Sequence, residues 1–128
     1  MKGEWGKMSR VLIVEDEPMV LALLEDALTI AGHEVSAVRK LEEALALAEK
    51  LPIDAAVLDV NLAGGKIYPV ADALLERKVP FLFITGALPG KDEIPQKLRR
   101  VSFMLKPFRL MDLNTAIMSM CSPDACPA

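Results

Sequence analysis

The chain has 128 residues, a length typical of one domain that buries most of its apolar surface without disulfides. Its 15 Lys and Arg against 18 Asp and Glu give a formal net charge of -3, which argues against a sequence-independent nucleic-acid binder. Its apolar runs are far shorter than the ~20 residues that cross a bilayer, and residues 1–9 do not resemble a signal peptide. We therefore expect a cytoplasmic protein without a nucleic-acid or membrane partner.

Short apolar runs alternate with amphipathic segments, which predicts a parallel sheet covered by helices on both faces. The predicted strands are 10–15, 34–38, 55–59, 79–85 and 101–105. The predicted class is therefore α/β, a doubly wound five-stranded parallel sheet of flavodoxin-like strand order 2-1-3-4-5.

Helical spacing of apolar residues predicts a helix after each of the first three strands and after the last. Pro18 suits the first turn of the first helix, and Pro52 ends the second. One side of the third helix is predicted to carry Ile67, Ala71, Leu74 and the aliphatic stem of Lys78. The last helix carries an apolar stripe over residues 110–120.

The fourth-helix region, residues 86–100, departs from this regularity. It contains Gly86, Pro89, Gly90 and Pro95, all of which weaken a helix. We expect an irregular segment with at most a short helix near residues 92–99.

The predicted domain spans residues 10–120, between an N-terminal extension at 1–9 and a tail at 121–128. The tail carries the only two cysteines, Cys121 and Cys126, which we expect to be reduced thiols.

Polar residues stop the apolar runs at the carboxyl ends of the predicted strands. Glu15 and Asp16 follow the first strand, Asp59 ends the third, Thr85 ends the fourth and Lys106 follows the fifth. In an open parallel sheet the binding crevice lies outside these ends, where the strand order reverses. Strands one and three flank that point, so Asp16 and Asp59 are expected to face each other.

Three carboxylates at one place repel one another unless a cation lies among them. Magnesium prefers oxygen ligands and uses one or two carboxylates together with water and phosphate oxygens. Glu15, Asp16 and Asp59 therefore predict a Mg²⁺ site, which the backbone carbonyl of Asn61 could complete.

A carboxylate beside a metal ion suits phosphoryl transfer, with Asp59 as the nucleophile. The Lys106 ammonium could hold a phosphoryl oxygen, and the Thr85 hydroxyl could donate a hydrogen bond to another. Each residue alone has a simpler interpretation, such as a helix-start charge cluster, a turn residue or a surface lysine. The combination favours a phosphoacceptor site.

These residues resemble the receiver-domain family of bacterial two-component systems, over about residues 10–120. The matching motifs are Val-Glu-Asp-Glu-Pro at 14–18, Val-Leu-Asp-Val-Asn-Leu at 57–62, Thr85-Gly86 and Lys106-Pro107-Phe108. The resemblance implies that Asp59 takes a phosphoryl group from a histidine kinase and that Mg²⁺ is the cofactor. It also implies a cis bond before Pro107 and a switch role for Phe103, whose rotamer would follow phosphorylation.

The segment 80–86, Pro-Phe-Leu-Phe-Ile-Thr-Gly, resembles the FAT GUY subfamily of receivers, with Ile84 where that motif has Ala. The resemblance implies a single-domain receiver whose kinase is of the HWE or a related type. Only eight residues follow Met120, so we expect no output domain. The signal would then leave through contact with a downstream protein or through onward transfer of the phosphoryl group.

Other functional classes fit these residues less well. We expect no enzyme acting on an external substrate, only Mg²⁺-dependent self-phosphorylation and dephosphorylation. A small aspartyl-phosphate phosphatase usually carries its nucleophile on the first strand, with a second Asp two residues on, where this chain has Asn61. A nucleotide or flavin binder would have an acidic first loop that repels phosphate. A phosphorylation-independent scaffold with the same fold is the remaining alternative.

Overall fold

The computed structural model describes residues 9–87, 89–90 and 93–121. The strands are β1 Arg10–Val14, β2 Glu34–Val38, β3 Ala55–Asp59, β4 Asn61–Leu62, β5 Gly65–Lys66, β6 Phe81–Thr85 and β7 Phe103–Leu105. The helices are α1 Pro18–Ile30, α2 Leu41–Lys50, α3 Tyr68–Glu76 and α4 Leu110–Cys121, and a 3₁₀ turn covers Gln96–Leu98. Within this described part, no helix has the length and apolar character needed to span a membrane.

The five longer strands form one parallel sheet in the order β2-β1-β3-β6-β7. This is the order predicted from the sequence, because β6 and β7 are the fourth and fifth strands of that sheet. The doubly wound α/β class is confirmed.

The sheet separates two apolar layers, because successive side chains of a strand point to opposite faces. In β1, Leu12 and Val14 face the layer that contains α2 and α3. Val11 and Ile13 face the layer that contains α1 and α4. All four residues are buried, which explains why β1 is continuously apolar after Arg10.

The loop predicted at residues 61–66 contains a small antiparallel hairpin of β4 and β5. Asn61 pairs with Lys66 and Leu62 pairs with Gly65, leaving only two residues in the turn. Gly65 has a φ of +135°, a conformation that residues with a side chain rarely adopt. This hairpin leads almost directly into α3, so the chain immediately after Asp59 is ordered by backbone pairing.

The predicted place of Lys78 on the apolar side of the third helix was wrong. α3 ends at Glu76, and Lys78 has a φ of 61°, the left-handed conformation that often ends a helix. The Val79 amide then donates to the Leu74 carbonyl at 3.0 Å and closes the helix end. Lys78 is exposed, so its stem does not cover the core.

The described part of residues 86–100 contains no α-helix, and Gln96–Leu98 form a 3₁₀ turn, which agrees with the predicted irregular region. Leu98 is completely buried and anchors this turn in the core. Lys97 forms an ion pair with Asp72 of α3 at 3.3 Å. Asp92, where the predicted short helix began, lies outside the described residues.

The last helix continues one residue beyond the predicted domain boundary. α4 includes Cys121, which was assigned to the tail, because an apolar stripe does not fix the last turn of a helix. Cys126 lies outside the described residues.

Candidate functional site

The carboxyl ends of β1 and β3 bring three acidic side chains together. Val14 is in register with Leu58, so Glu15 and Asp59 follow on neighbouring strands. One carboxylate oxygen each from Glu15, Asp16 and Asp59 lies within 4.8 Å of the others. Glu15 is 0% exposed and Asp59 is 5% exposed, whereas Asp16 is partly exposed. The predicted juxtaposition of these carboxylates is present in the structure.

Lys106 supplies a cation to this acidic cluster. Its Nζ lies 2.6 Å from Glu15 Oε1 and 3.4 Å from Asp59 Oδ2. The lysine reaches the cluster because its amide donates to the Thr85 carbonyl at 2.8 Å, which continues the pairing of β6 with β7. A single ammonium group therefore contacts two buried carboxylates.

Backbone amides complete the hydrogen bonding of the two buried carboxylates. The Glu17 amide donates to Glu15 Oε2 at 3.1 Å. The Asn61 amide donates to Asp59 Oδ1 at 3.3 Å. Each carboxylate therefore accepts one bond from Lys106 and one from the chain two residues further on. A buried carboxylate held in this way has a fixed orientation.

The pKa of the Asp59 carboxyl is raised from 3.8 to about 7. Burial is the largest cause, followed by the hydrogen bond and negative charge of Glu15, while Lys106 and the Asn61 amide partly oppose the rise. For Lys106, burial alone would lower the pKa, but Glu15 and Asp59 outweigh it, so the pKa lies above its ordinary value. The lysine therefore stays charged at neutral pH. Asp59 is buried beside the negatively charged Glu15, which favours its protonated form.

Thr85 and Phe103 lie near this edge of the sheet but contact other groups. The buried Thr85 hydroxyl donates to the Ala87 carbonyl at 2.8 Å. The half-buried Phe103 ring packs against Phe83, with 5.0 Å between the ring centroids. The peptide bond before Pro107 is cis, the isomer that the family resemblance implies.

Two further side chains border the site and were missed at the sequence level. Arg39, after β2, donates to the Asp16 carbonyl at 3.3 Å. Lys66 of β5 donates through Nζ to Asn61 Oδ1. The short spacing across Gly64 and Gly65 is a hairpin signal and could have placed Lys66 opposite Asn61. No sequence pattern indicates the Arg39 contact.

Comparison with known proteins agrees with this geometry. The family model for the response regulator receiver domain matches residues 11–118. The transcriptional regulatory protein TcrA of Mycobacterium tuberculosis is 37% identical over 113 residues, which are 84% of this chain and 45% of TcrA. This chain spans about half the length of the curated relatives that it matches.

Solved structures show the same fold. SdrG from Sphingomonas melonis Fr1 is 38% identical with a TM-score of 0.73, over 90% of this chain and 98% of SdrG. The receiver domain of the sensor histidine kinase PA1611 from Pseudomonas aeruginosa PAO1 is 25% identical with a TM-score of 0.78. The match covers 90% of this chain and 98% of that domain. That structure contains a magnesium ion in its active-site cleft. From the match over residues 11–118, the acidic cluster and the shared fold, the chain belongs to the response regulator receiver domain family.

Proposed function

We propose that Asp59 accepts a phosphoryl group from a histidine kinase and that the phosphorylated chain then signals to a downstream partner. Receiver domains of two-component systems act between histidine kinases and such partners. The observation that carries the proposal is the environment of Asp59. Its carboxylate lies beside two other carboxylates and within 3.4 Å of the Lys106 ammonium.

The acidic cluster fits a divalent cation. Three carboxylates lie together with one contacting lysine, and burial, followed by the hydrogen bond and negative charge of Glu15, raises the pKa of Asp59. The residues that would hold Mg²⁺ are Glu15, Asp16, Asp59 and the backbone carbonyl of Asn61. Bound Mg²⁺ would neutralise negative charge on the phosphoryl oxygens. The oxygen-only donor set suits magnesium better than a softer metal.

Transfer would begin with attack of an Asp59 carboxylate oxygen on phosphorus. An O–P bond forms while the N–P bond of the kinase phosphohistidine breaks, and its electron pair remains on the imidazole. Asp59 must be deprotonated for this attack, a state reached above its pKa of about 7 or when a cation displaces the proton. Lys106, already within 3.4 Å of Asp59 Oδ2, would donate to a phosphoryl oxygen.

Thr85 would change partner when the phosphoryl group arrives. Its hydroxyl now donates to Ala87, at the start of the irregular segment 86–100. A phosphoryl oxygen on Asp59 is a stronger acceptor than a carbonyl, so the hydroxyl would turn toward it and release Ala87. Phe103, packed on Phe83 of β6, would repack as Thr85 moves.

This switch predicts amide chemical-shift changes centred on residues 85–87 and extending through the described part of 89–100 and Phe103. The measurement is backbone NMR with and without beryllofluoride and Mg²⁺. Thr85→Val, which keeps the shape but removes the hydroxyl, should confine the changes to the loops that carry Glu15 and Asp59. Equal propagation in this variant would contradict the role given to Thr85.

The type of the donor kinase is proposed from the subfamily resemblance. We propose a kinase of the HWE or a related type, because residues 80–86 resemble the FAT GUY motif. The chain would catalyse only its own phosphorylation and dephosphorylation, with no external substrate. The alternative of a phosphorylation-independent scaffold requires the same fold but no chemistry at Asp59.

The deciding experiment is intact-mass measurement after incubation with acetyl phosphate and Mg²⁺. We expect the mass of one added phosphoryl group, lost in Asp59→Asn and in EDTA. Asp112→Asn, an exposed carboxylate change on α4, is the matched control and should label normally. Absence of labelling in the native chain, with Mg²⁺ binding also absent, would favour the scaffold.

A further inference from the structure

The β4–β5 hairpin places Lys66 opposite Asn61, two residues after Asp59. Asn61 and Lys66 are directly paired across the hairpin, and both are exposed. Leu62, the next residue, is buried, and a Cβ on Gly65 would meet the Leu41 side chain at 3.7 Å. The hairpin is therefore packed on one side, while Asn61 and Lys66 occupy its open side.

The contact between these two residues fixes the orientation of an amide group. Lys66 Nζ donates to Asn61 Oδ1. An ammonium group has only donors, so the amide oxygen must be the atom that faces it. The NH₂ end of the Asn61 amide is then the end that remains available. The backbone amide of the same residue donates to Asp59 Oδ1 at 3.3 Å, which ties the backbone of Asn61 to the carboxylate that reacts.

We propose that Lys66 is a positioning residue that prolongs the lifetime of the phosphoryl group on Asp59, by keeping the Asn61 amide oxygen from the water that hydrolyses it. This inference rests on the proposed phosphorylation of Asp59. Lys66 acts through Asn61 and does not itself contact the reacting atoms.

The chemistry of hydrolysis gives the direction of the effect. A water oxygen attacks phosphorus, the bond between phosphorus and the Asp59 oxygen breaks, and its electron pair returns to the carboxylate. Inorganic phosphate leaves, and a proton passes to solvent. A protein acceptor that takes a hydrogen bond from the water directs the water lone pair at phosphorus. With its oxygen turned toward Lys66, the Asn61 amide presents its NH₂ donors on the opposite side; without Lys66 the amide can turn and present its oxygen there.

The test measures phosphoryl loss after loading with acetyl phosphate and Mg²⁺, followed by removal of the donor. Lys66→Met should lose the group about two- to tenfold faster than the native chain, the range expected for one hydrogen bond. Lys66→Arg, which keeps a cation able to bind the amide oxygen, should behave like the native chain. Lys97→Met is the matched control, because Lys97 is also exposed and paired but lies on the 3₁₀ turn.

A double-mutant comparison separates amide orientation from loss of charge. In an Asn61→Ala background, Lys66→Met should leave the rate of phosphoryl loss unchanged, because no amide remains to turn. Equal acceleration in both backgrounds would show that the lysine charge acts directly and would overturn the proposal. So would an unchanged or slower rate in Lys66→Met alone.

A second measurement does not require phosphorylation, so failure of this inference can be told from failure of the proposed function. The side-chain NH₂ signals of Asn61 are followed by NMR in the unphosphorylated chain. We expect these signals to shift in Lys66→Met but not in Lys97→Met, because only the first change removes the donor to Asn61 Oδ1. Signals that are identical in the native chain and Lys66→Met would overturn the proposal even if Asp59 is labelled normally.

Discussion

In EDTA at about pH 8, Asp59→Asn should be more stable than the native chain, with a free energy of unfolding about 2 kcal/mol higher. The native carboxylate is 5% exposed and lies beside the fully buried Glu15. An amide of the same shape removes one of these charges. Its one oxygen can accept from Lys106 or from the Asn61 amide, but its NH₂ group cannot accept from the other donor, which keeps the expected gain modest. Urea unfolding followed by circular dichroism gives the difference.

The stability gain should depend on pH with a defined sign. The pKa of Asp59 is about 7 in the folded state against 3.8 as its ordinary value, so the folded chain holds the proton more tightly. This carboxyl therefore contributes stability below pH 3.8 that is lost as the pH rises through 7. The gain from Asp59→Asn should be small near the lower value and complete above the higher one.

Two comparisons make this result specific. Asp112→Asn removes an exposed carboxylate paired with Arg109 at 3.4 Å and should change stability by less than about 0.5 kcal/mol at any pH. Saturating Mg²⁺ should stabilise the native chain and reduce or reverse the advantage of Asp59→Asn, because the ion binds the charged carboxylate. A variant no more stable than the native chain in EDTA at pH 8 would contradict the electrostatic account.

Lys106→Met should have the opposite effect and reduce the free energy of unfolding by about 3 kcal/mol in EDTA. Methionine keeps much of the side-chain volume but removes the ammonium that contacts Glu15 and Asp59. Glu15 is 0% exposed and would be left without its cation. Lys106 itself is partly exposed, which places the expected loss at the lower end for a broken buried pair.

Magnesium should compensate for this loss. With the ammonium gone, a divalent cation meets less repulsion in the cluster, so its affinity should rise about tenfold. Adding Mg²⁺ should therefore raise the urea midpoint of Lys106→Met more than that of the native chain. Lys97→Met, at an exposed pair with Asp72, should lose less than about 1 kcal/mol and show no extra response to Mg²⁺. An equal Mg²⁺ response in Lys106→Met and the native chain would argue against a shared site.

The architecture was predictable because the apolar runs and their endings carry the necessary information. Residues 11–14 of β1 are all apolar, a pattern typical of a strand that is buried on both faces. The endings of the apolar runs at Asp59, Thr85 and Lys106 placed the site, since the carboxyl ends of parallel strands meet at one edge. The flavodoxin-like order then predicted that Asp16 faces Asp59, and the structure brings Glu15 to the same place.

The finer features depend on tertiary contacts that sequence does not encode locally. Nothing in the pair Glu15 and Asp16 indicates that the first is fully buried and bound to Lys106 while the second stays partly exposed. The left-handed turn at Lys78 was missed because that position is usually glycine. The hairpin of β4 and β5 was predicted as a loop, since two-residue strands are too short to show alternation.

The division of the interior into two layers affects how this molecule can change over evolutionary time. Each strand of the sheet contributes alternate residues to both layers, but the helices contribute to one layer each. The sheet separates one set of helix residues, Leu24, Leu28 and Ile117, from another set, Ala48, Val70 and Leu74. A substitution in one set and a substitution in the other should therefore have nearly additive effects on the free energy of unfolding. Either pair of helices can therefore diverge, and acquire new surface partners, while the other pair and the acidic edge keep their packing.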